Sequence, residues 1–208
     1  LTLSLRIYFR KRKGPIDPAW YPNQQDWGDD DWLTRTYFDP IIAAGARKSF
    51  EMAQVIPGED PEDFHSDPIT RASEAYQAGD HATAIAMMES ALAVDLRCLD
   101  AHAHLGNWAF PDGDLTPERA RRHYEIGVRI GELSLGADFG GVLSWGHIDN
   151  RPFLRNLHGF GLCLWRFGEI DAARTVFDRM LSLNPNDNQG IRFLIHEIDE
   201  GRPWTSDI

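Results

Sequence analysis

The chain has 208 residues, 42% of them hydrophobic and 11% aromatic, with 32 acidic against 21 basic side chains and a net charge of −11. That length suits one large or two small domains with a real core, and the acidic balance argues against broad affinity for nucleic acid, whose phosphates draw cationic surface. No apolar run approaches the roughly 20 residues of a membrane span, and Cys98 and Cys163 belong to no CxxC pair, so they read as reduced, buried thiols of a cytoplasmic protein and not as a disulfide framework.

Residues 1–65 read as an irregular N-terminal arm with one helix, packing on the rest of the chain. Alternation of Leu3, Leu5, Ile7 and Phe9 predicts a short strand or extended segment. That run is too short for a signal-peptide core, and its charges come after it where a signal peptide has them first. The basic cluster Arg10, Lys11, Arg12, Lys13 reads as a solvated arm, or as a contact for an acidic partner, nucleic acid or a membrane surface. Residues 18–32 carry Trp20, Trp27 and Trp32 among Asp, Pro and Gly, which describes an ordered extended segment whose rings dock on something. A helix is predicted from Thr34 or Asp39 to Val55, stopped by Pro57-Gly58 and succeeded by an acidic linker.

From residue 66 onward the chain echoes itself. Asp67 with Pro68 marks a helix start, an N-cap acceptor next to a residue that needs no N–H partner. Gly79-Asp80 then precedes Ala84, Met88 and Ala91; Gly168-Glu169 precedes Ala173, Phe177 and Met180; a degraded copy between them has Ala120, Tyr124 and Gly127. Ala72 and Gly106 stand 34 positions apart, and residues 111–114 enlarge the second turn so that Ala120 falls two places late. Residues 136–150 interrupt the pattern before a buried stripe of Leu154, Leu157, Gly161 and Leu164. A last helix over residues 191–198 caps the series, closed by Gly201-Arg202-Pro203. Such periodicity predicts helix pairs that bury their apolar faces on their neighbours.

The Gly turns, the small and aromatic series after them, Leu105-Gly106 and the terminal Pro185 resemble the tetratricopeptide repeat. The usual Trp near the start of each first helix is replaced, by His102 and Leu157. The resemblance covers about two thirds of the chain. It implies an all-α fold: a right-handed helical-repeat stack over residues 66–208, with about three helix pairs plus a capping helix. In that family the first helix of each pair lines a concave groove. Projecting the period gives His104, Asn107 and Phe110 from the second pair, Arg155, His158, Trp165 and Arg166 from the third, and Arg192 and His196 from the last helix. Some members grip a peptide's terminal carboxylate with Asn and basic residues, and Asn107, Arg155 and Arg192 fall on comparable positions; guanidinium geometry matches carboxylate geometry. The plainer reading is that these arginines pair with the excess acids.

Other constellations are weaker. His102 and His104 diverge on one helix, there is no HExxH, and a multi-helix metal site from His104, His158 and His196 with a carboxylate is conceivable, though lone histidines more often pack or face solvent. His147, Asp149 and Arg151 could serve as acid–base groups or a ligand clamp; alternatively Asp149 or Asn150 caps the next helix, Pro152 fits its first turn and Trp145 plugs the gap. The glycine-rich run at 136–141 lacks the Lys-Ser/Thr of a phosphate loop, and no nucleophile elbow is present. The expectation is a non-enzymatic module binding a peptide or partner protein, with no cofactor, metal, nucleic acid or membrane. The competing classes are an enzyme or metal-binding protein using residues 147–151, and a subunit that self-associates through the ends of its stack.

Overall fold

The computed structural model describes residues 10–16, 32–60, 62–63, 66–110 and 117–205. The alternation at 3–9, Trp20, Trp27 and the turn at 111–114 lie outside them. Among the described residues are eight α-helices and one two-stranded antiparallel ribbon.

The ribbon corrects the reading of the N-terminal region. β1 (Arg10–Ile16) contains the basic cluster and pairs with β2 (Arg47–Glu51), Lys11 facing Phe50 and Pro15 facing Lys48. The helix predicted to reach Val55 is shorter: α1 (Trp32–Ala43) stops before Gly45, which adopts φ +83°, and residues 47–51 form β2. Tertiary pairing overrides helical propensity here. Besides β1, β2 holds residue 142: Phe50 N–H donates to the Val142 carbonyl (2.9 Å) and Val142 N–H to that of Lys48 (2.9 Å).

The remaining helices come in sequence: α2 (Pro68–Gln77), α3 (His81–Val94), α4 (Leu99–Ala109), α5 (Pro117–Leu135), α6 (Arg151–Arg166), α7 (Ile170–Leu183) and α8 (Ile191–Asp199). Each packs on the next; α4 also lies on α6, and α1 on α8. Asp67 caps α2 by accepting from the Ile69 and Thr70 N–H groups, with Pro68 in the first turn. The turn after α2 is built from three bonds: Ala78 N–H to Glu74 O, Gly79 N–H to Tyr76 O and Asp80 N–H to Ala75 O. The same three bonds recur after α6, from Phe167, Gly168 and Glu169 to Cys163, Trp165 and Leu164, and again after α8, from Glu200, Gly201 and Arg202 to His196, Ile198 and Glu197. Gly79, Gly168 and Gly201 all take the left-handed conformation (φ +88°, +76° and +70°) that ends a helix without Cβ strain.

The echoed side chains are the buried ones. Ala84, Met88 and Ala91 of α3 and Ala173, Phe177 and Met180 of α7 are all buried. Small residues on one helix admit large ones from the next. A Cβ on Gly161 would lie 2.4 Å from Phe177 Cε1, and one on Gly106 or Gly159 would lie 2.4 or 2.1 Å from the Tyr124 ring, so Tyr124 wedges between α4 and α6. The largest core cluster joins α6, α7 and α8 to Phe38, Met52 and Leu143; a smaller one joins α2, α3 and the start of α4.

The interruption before α6 is a strap. Leu143 N–H donates to Leu183 O (2.7 Å) and Trp145 N–H to Asn184 Oδ1 (3.1 Å). Asn150, fully buried, occupies the cap position of α6 but makes no cap bond. Its Oδ1 instead accepts from Met52 N–H (2.8 Å), and its Nδ2 donates to Phe50 O and Ser144 O (3.0 Å each). The capping expectation for Asn150 is thereby corrected: the amide ties the end of β2 to the strap through three backbone groups, among them the Met52 N–H.

Candidate partner-binding face

The first turn of α4 and the second turn of α6 meet at Asp100. Its carboxylate lies 3.3 Å from Arg155 Nη1 and 3.7 Å from His104 Nε2, with side-chain exposures of 18%, 35% and 21% for Asp100, Arg155 and His104. Burial pushes the Asp100 carboxyl above its ordinary range, against the pull of His104 and Arg155. Burial likewise pushes the His104 imidazole down, opposed by Asp100 and assisted by Arg155. Desolvation therefore outweighs pairing at both groups, in a polar cluster that is only partly covered.

Aromatic rings extend this cluster in both directions. Trp108, one turn along α4 from His104, lies 5.4 Å from it between centroids and stacks on Tyr76 at the end of α2 (4.4 Å, 4°). Tyr76 in turn stacks with His81, the first residue of α3 (4.2 Å, 19°). Toward the strap, Arg155 lies over Trp145 at 5.8 Å and Arg151 over the same ring at 5.3 Å, while Arg151 Nε donates to the Trp145 carbonyl (3.0 Å). A cation at these separations is held by the ring's quadrupole. The result is one strip: His81, Tyr76, Trp108, His104, Asp100, Arg155, Trp145, Arg151.

The two sites that the sequence set against each other thus share a boundary. His104 and Arg155 of the groove set join Arg151 of the alternative set around Asp100 and Trp145. Asp149 instead bonds Gln54 through its main-chain carbonyl, and His147 N–H donates to Ser144 O (3.1 Å).

The rest of the groove set disperses. Trp165 is 2% exposed and lies in the largest core, its indole N–H donating to the Arg202 carbonyl (3.2 Å). Its expected place on an open groove is corrected: the ring fills the space between the end of α6 and the segment after α8. Asn107 accepts from the Tyr124 hydroxyl (2.7 Å) and so holds the wedge. Phe110 and Arg166 meet, Arg166 Nη1 donating to Phe110 O (2.8 Å). His158 faces Gln189 (3.2 Å), and burial pushes its imidazole down to about 4. Arg192, its side chain only 13% exposed, pairs with Asp187 at 2.8 Å and lies over Phe193 at 4.2 Å, so it closes the start of α8. His196 meets Trp32 edge-on at 5.2 Å. The three histidines of the conceivable metal set thus have separate neighbours, and among the described residues no group of three or more His, Cys, Asp or Glu is arranged to hold a metal ion.

Asp100, Trp108, Tyr76 and His81 were missed by projecting the period. The i, i+4, i+8 series Asp100, His104, Trp108 is a single helix face carrying an acid, an imidazole and an indole, and that spacing was the available signal. On another side of the molecule, a cleft of about 780 Å³ is lined by Arg129, Glu132, Leu133, Thr175 and Arg179 and shares no residue with the strip. Glu132 there already holds Arg179 in a two-pronged pair at 3.0 and 3.1 Å. Among the described residues no helix is long and apolar enough to cross a membrane. Both cysteines are free and buried, burial pushing Cys98 up to about 11 and Cys163 up to about 12. Comparison with protein-family models gives no match, and none of the curated proteins matches the chain.

Proposed function

We propose that this protein is a non-enzymatic interaction module: a right-handed, tetratricopeptide-like stack of three helix pairs with α8 as its cap, binding an extended segment of a peptide or partner protein across α2, α4 and α6. The repeated three-bond turns and the small-against-large contacts support the repeat reading. The observation that carries the binding reading is the strip itself, which runs over the first helix of all three pairs and presents stacked rings beside Asp100 and two arginines. Rings supply contact area at low entropic cost, and the Arg155 and Arg151 guanidiniums suit acidic side chains of a partner. Free, buried, high-pKa thiols fit a protein of the cytoplasm.

The test is selection of binding peptides from a displayed library on the whole chain, with affinities then measured on variants. Arg155→Ala and Trp108→Ala are each expected to weaken the selected peptides at least tenfold while the far-ultraviolet circular dichroism stays unchanged. Peptides that bind both variants as they bind the wild type would sink the strip as the recognition surface.

A further inference from the structure

The far end of the α4–α6 face is occupied by the chain itself. At the third copy of the Gly turn, where Asp80 and Glu169 each lead into a helix in the preceding copies, the chain continues Arg202-Pro203-Trp204 without one. Pro203 lacks an N–H and holds the residue before it extended. The segment lies across the ends of α4 and α6 through two contacts. The Arg202 carbonyl accepts from the Trp165 indole N–H at 3.2 Å. The Trp204 ring sits over the Arg166 guanidinium at 4.7 Å and meets Phe110 edge-on at 5.9 Å, both rings within reach of one cation. Trp204 is half-buried while Arg202, Pro203 and Thr205 are exposed. Arg202 is tied back to α8 through its N–H and guanidinium on Glu197, and the ends of α4 and α6 hold the segment by one ring and one carbonyl.

These contacts specify what the notch between Phe110 and Arg166 accepts. Trp165 supplies a fixed donor, rigid because its ring is in the core. Arg166 is oriented by its bond to the Phe110 carbonyl, so its flat face is turned to an aromatic ring. An extended residue–Pro–Trp segment satisfies both at once, and nothing in either contact depends on the segment belonging to the same chain. We propose that this notch is a subsite for a tryptophan-bearing, proline-extended peptide of a partner, and that Trp204 is its tethered occupant, displaced when the partner binds. The proposal rests on the reading of the α4–α6 face as a binding surface and places a second contact at its opposite end.

A fluorescently labelled peptide covering residues 199–208 tests it against the whole chain. A tethered ring competes at an effective concentration on the order of millimolar. The peptide is therefore expected to bind the Trp204→Ala protein at least tenfold more tightly than the wild type. It should lose that binding when its own Trp is replaced by Ala, or when Arg166→Ala is added to the protein. Equal binding to wild type and Trp204→Ala, or none to a folded Trp204→Ala protein, overturns the proposal. Fluorine spectroscopy of 5-fluorotryptophan-labelled wild type provides a readout that needs no substitution: excess peptide should move the Trp204 resonance toward its free position, and a resonance unmoved at millimolar peptide rejects the exchange. Arg155→Ala should leave this exchange unchanged, so a failed notch and a failed strip give different results.

Discussion

The first helix pair, α2 with α3, and the third, α6 with α7, close through the same three backbone bonds around a left-handed glycine, yet they sit in very different surroundings. The first pair is held by a small cluster with Ile69, Ala72, Met88, Leu92 and the start of α4, and it leaves Val94 and Leu96 exposed at 77% and 60%. The third is enclosed by α5, α8, α1 and the strap, with Phe153, Trp165 and Phe177 almost fully buried. Identical local geometry therefore does not imply equal stability. The turn is a matter of chain chemistry, whereas most of a helix pair's stability comes from the face it buries. The first pair should open on its own more readily than the third, as a separate unit in hydrogen exchange.

The sharpest test compares equivalent positions. Phe177→Ala empties the centre of the third pair beside Gly161 and should cost about 4 kcal/mol, lowering the global transition. Met88→Ala, its counterpart in the first pair, should cost about 2–3 kcal/mol, and the loss should emerge as faster exchange of α2 and α3 amides with α6 and α7 little changed. Uniform loss of protection across both pairs in Met88→Ala would mean that the chain opens as one unit and the contrast is false.

A second contrast lies at the start of the first helix in each pair. Asn150→Ala strips three bonds from backbone groups of β2 and the strap, and is expected to cost about 2–3 kcal/mol, since the Met52 N–H loses its side-chain partner while Ser144 O keeps only the His147 N–H. Denaturant titration measures it. A loss below about 1 kcal/mol would show that water reaches those groups and that the strap is looser than its hydrogen bonds indicate.

Acid should strain the second and third pairs through different histidines. His102, 1% exposed between α4 and the Leu96 carbonyl, is lowered from 6.5 to about 4 by burial and then by the charge of His123. His158 in the third pair is lowered from 6.5 to about 4 by burial alone. A histidine whose folded pKa is depressed binds its proton first in the unfolded chain, so its contribution is complete above 6.5, falls as pH drops through that value and levels off near 4. The loss is roughly 2–3 kcal/mol for His102. Asp100 and Asp187, raised by burial, act in the opposite sense above 3.8. Unfolding measured from about pH 7 to about pH 4 should thus show falling stability, and His102→Gln should flatten part of that slope if it still folds.

Much of the helical region was legible because its signals are local. Asp67-Pro68, Gly79-Asp80 and Gly168-Glu169 act within one turn, and the Ala84 and Ala173 series repeats at helical spacing, so helix positions emerge from the residues themselves. The β-ribbon was not legible. Residues 47–51 read as a helix until β1 and Val142 are known to flank them, and the pairing with Val142 joins distant parts of the chain. The site was legible in halves. His104, Arg155 and Arg151 were named and the Asp100–His104 spacing lies within α4, but the contacts of Arg155 with Asp100 and with Trp145 join α6 to α4 and to the strap, which no sequence spacing specifies. Trp165 misled for a related reason: its position is on the groove side of α6 only if nothing lies over it, and the Arg202–Trp204 segment does.

The smallest expected effect separates stability from recognition at α2. Asp67 accepts from two backbone N–H groups and from the Thr70 hydroxyl, and its charge also contributes to holding Asp100 up. Asp67→Ala removes both and should cost about 1 kcal/mol, the usual worth of an N-cap. Asp67→Asn keeps an equally good cap acceptor and removes only the charge. Stability should then be nearly unchanged while Asp100 titrates lower, because one of the neighbours that disfavours its ionised form is gone. Carbon-detected titration of the Asp100 carboxyl reads this directly. If Asp67→Asn leaves that titration where it was, the start of the first pair does not reach the strip electrostatically, and α2 contributes to the strip through Tyr76 alone.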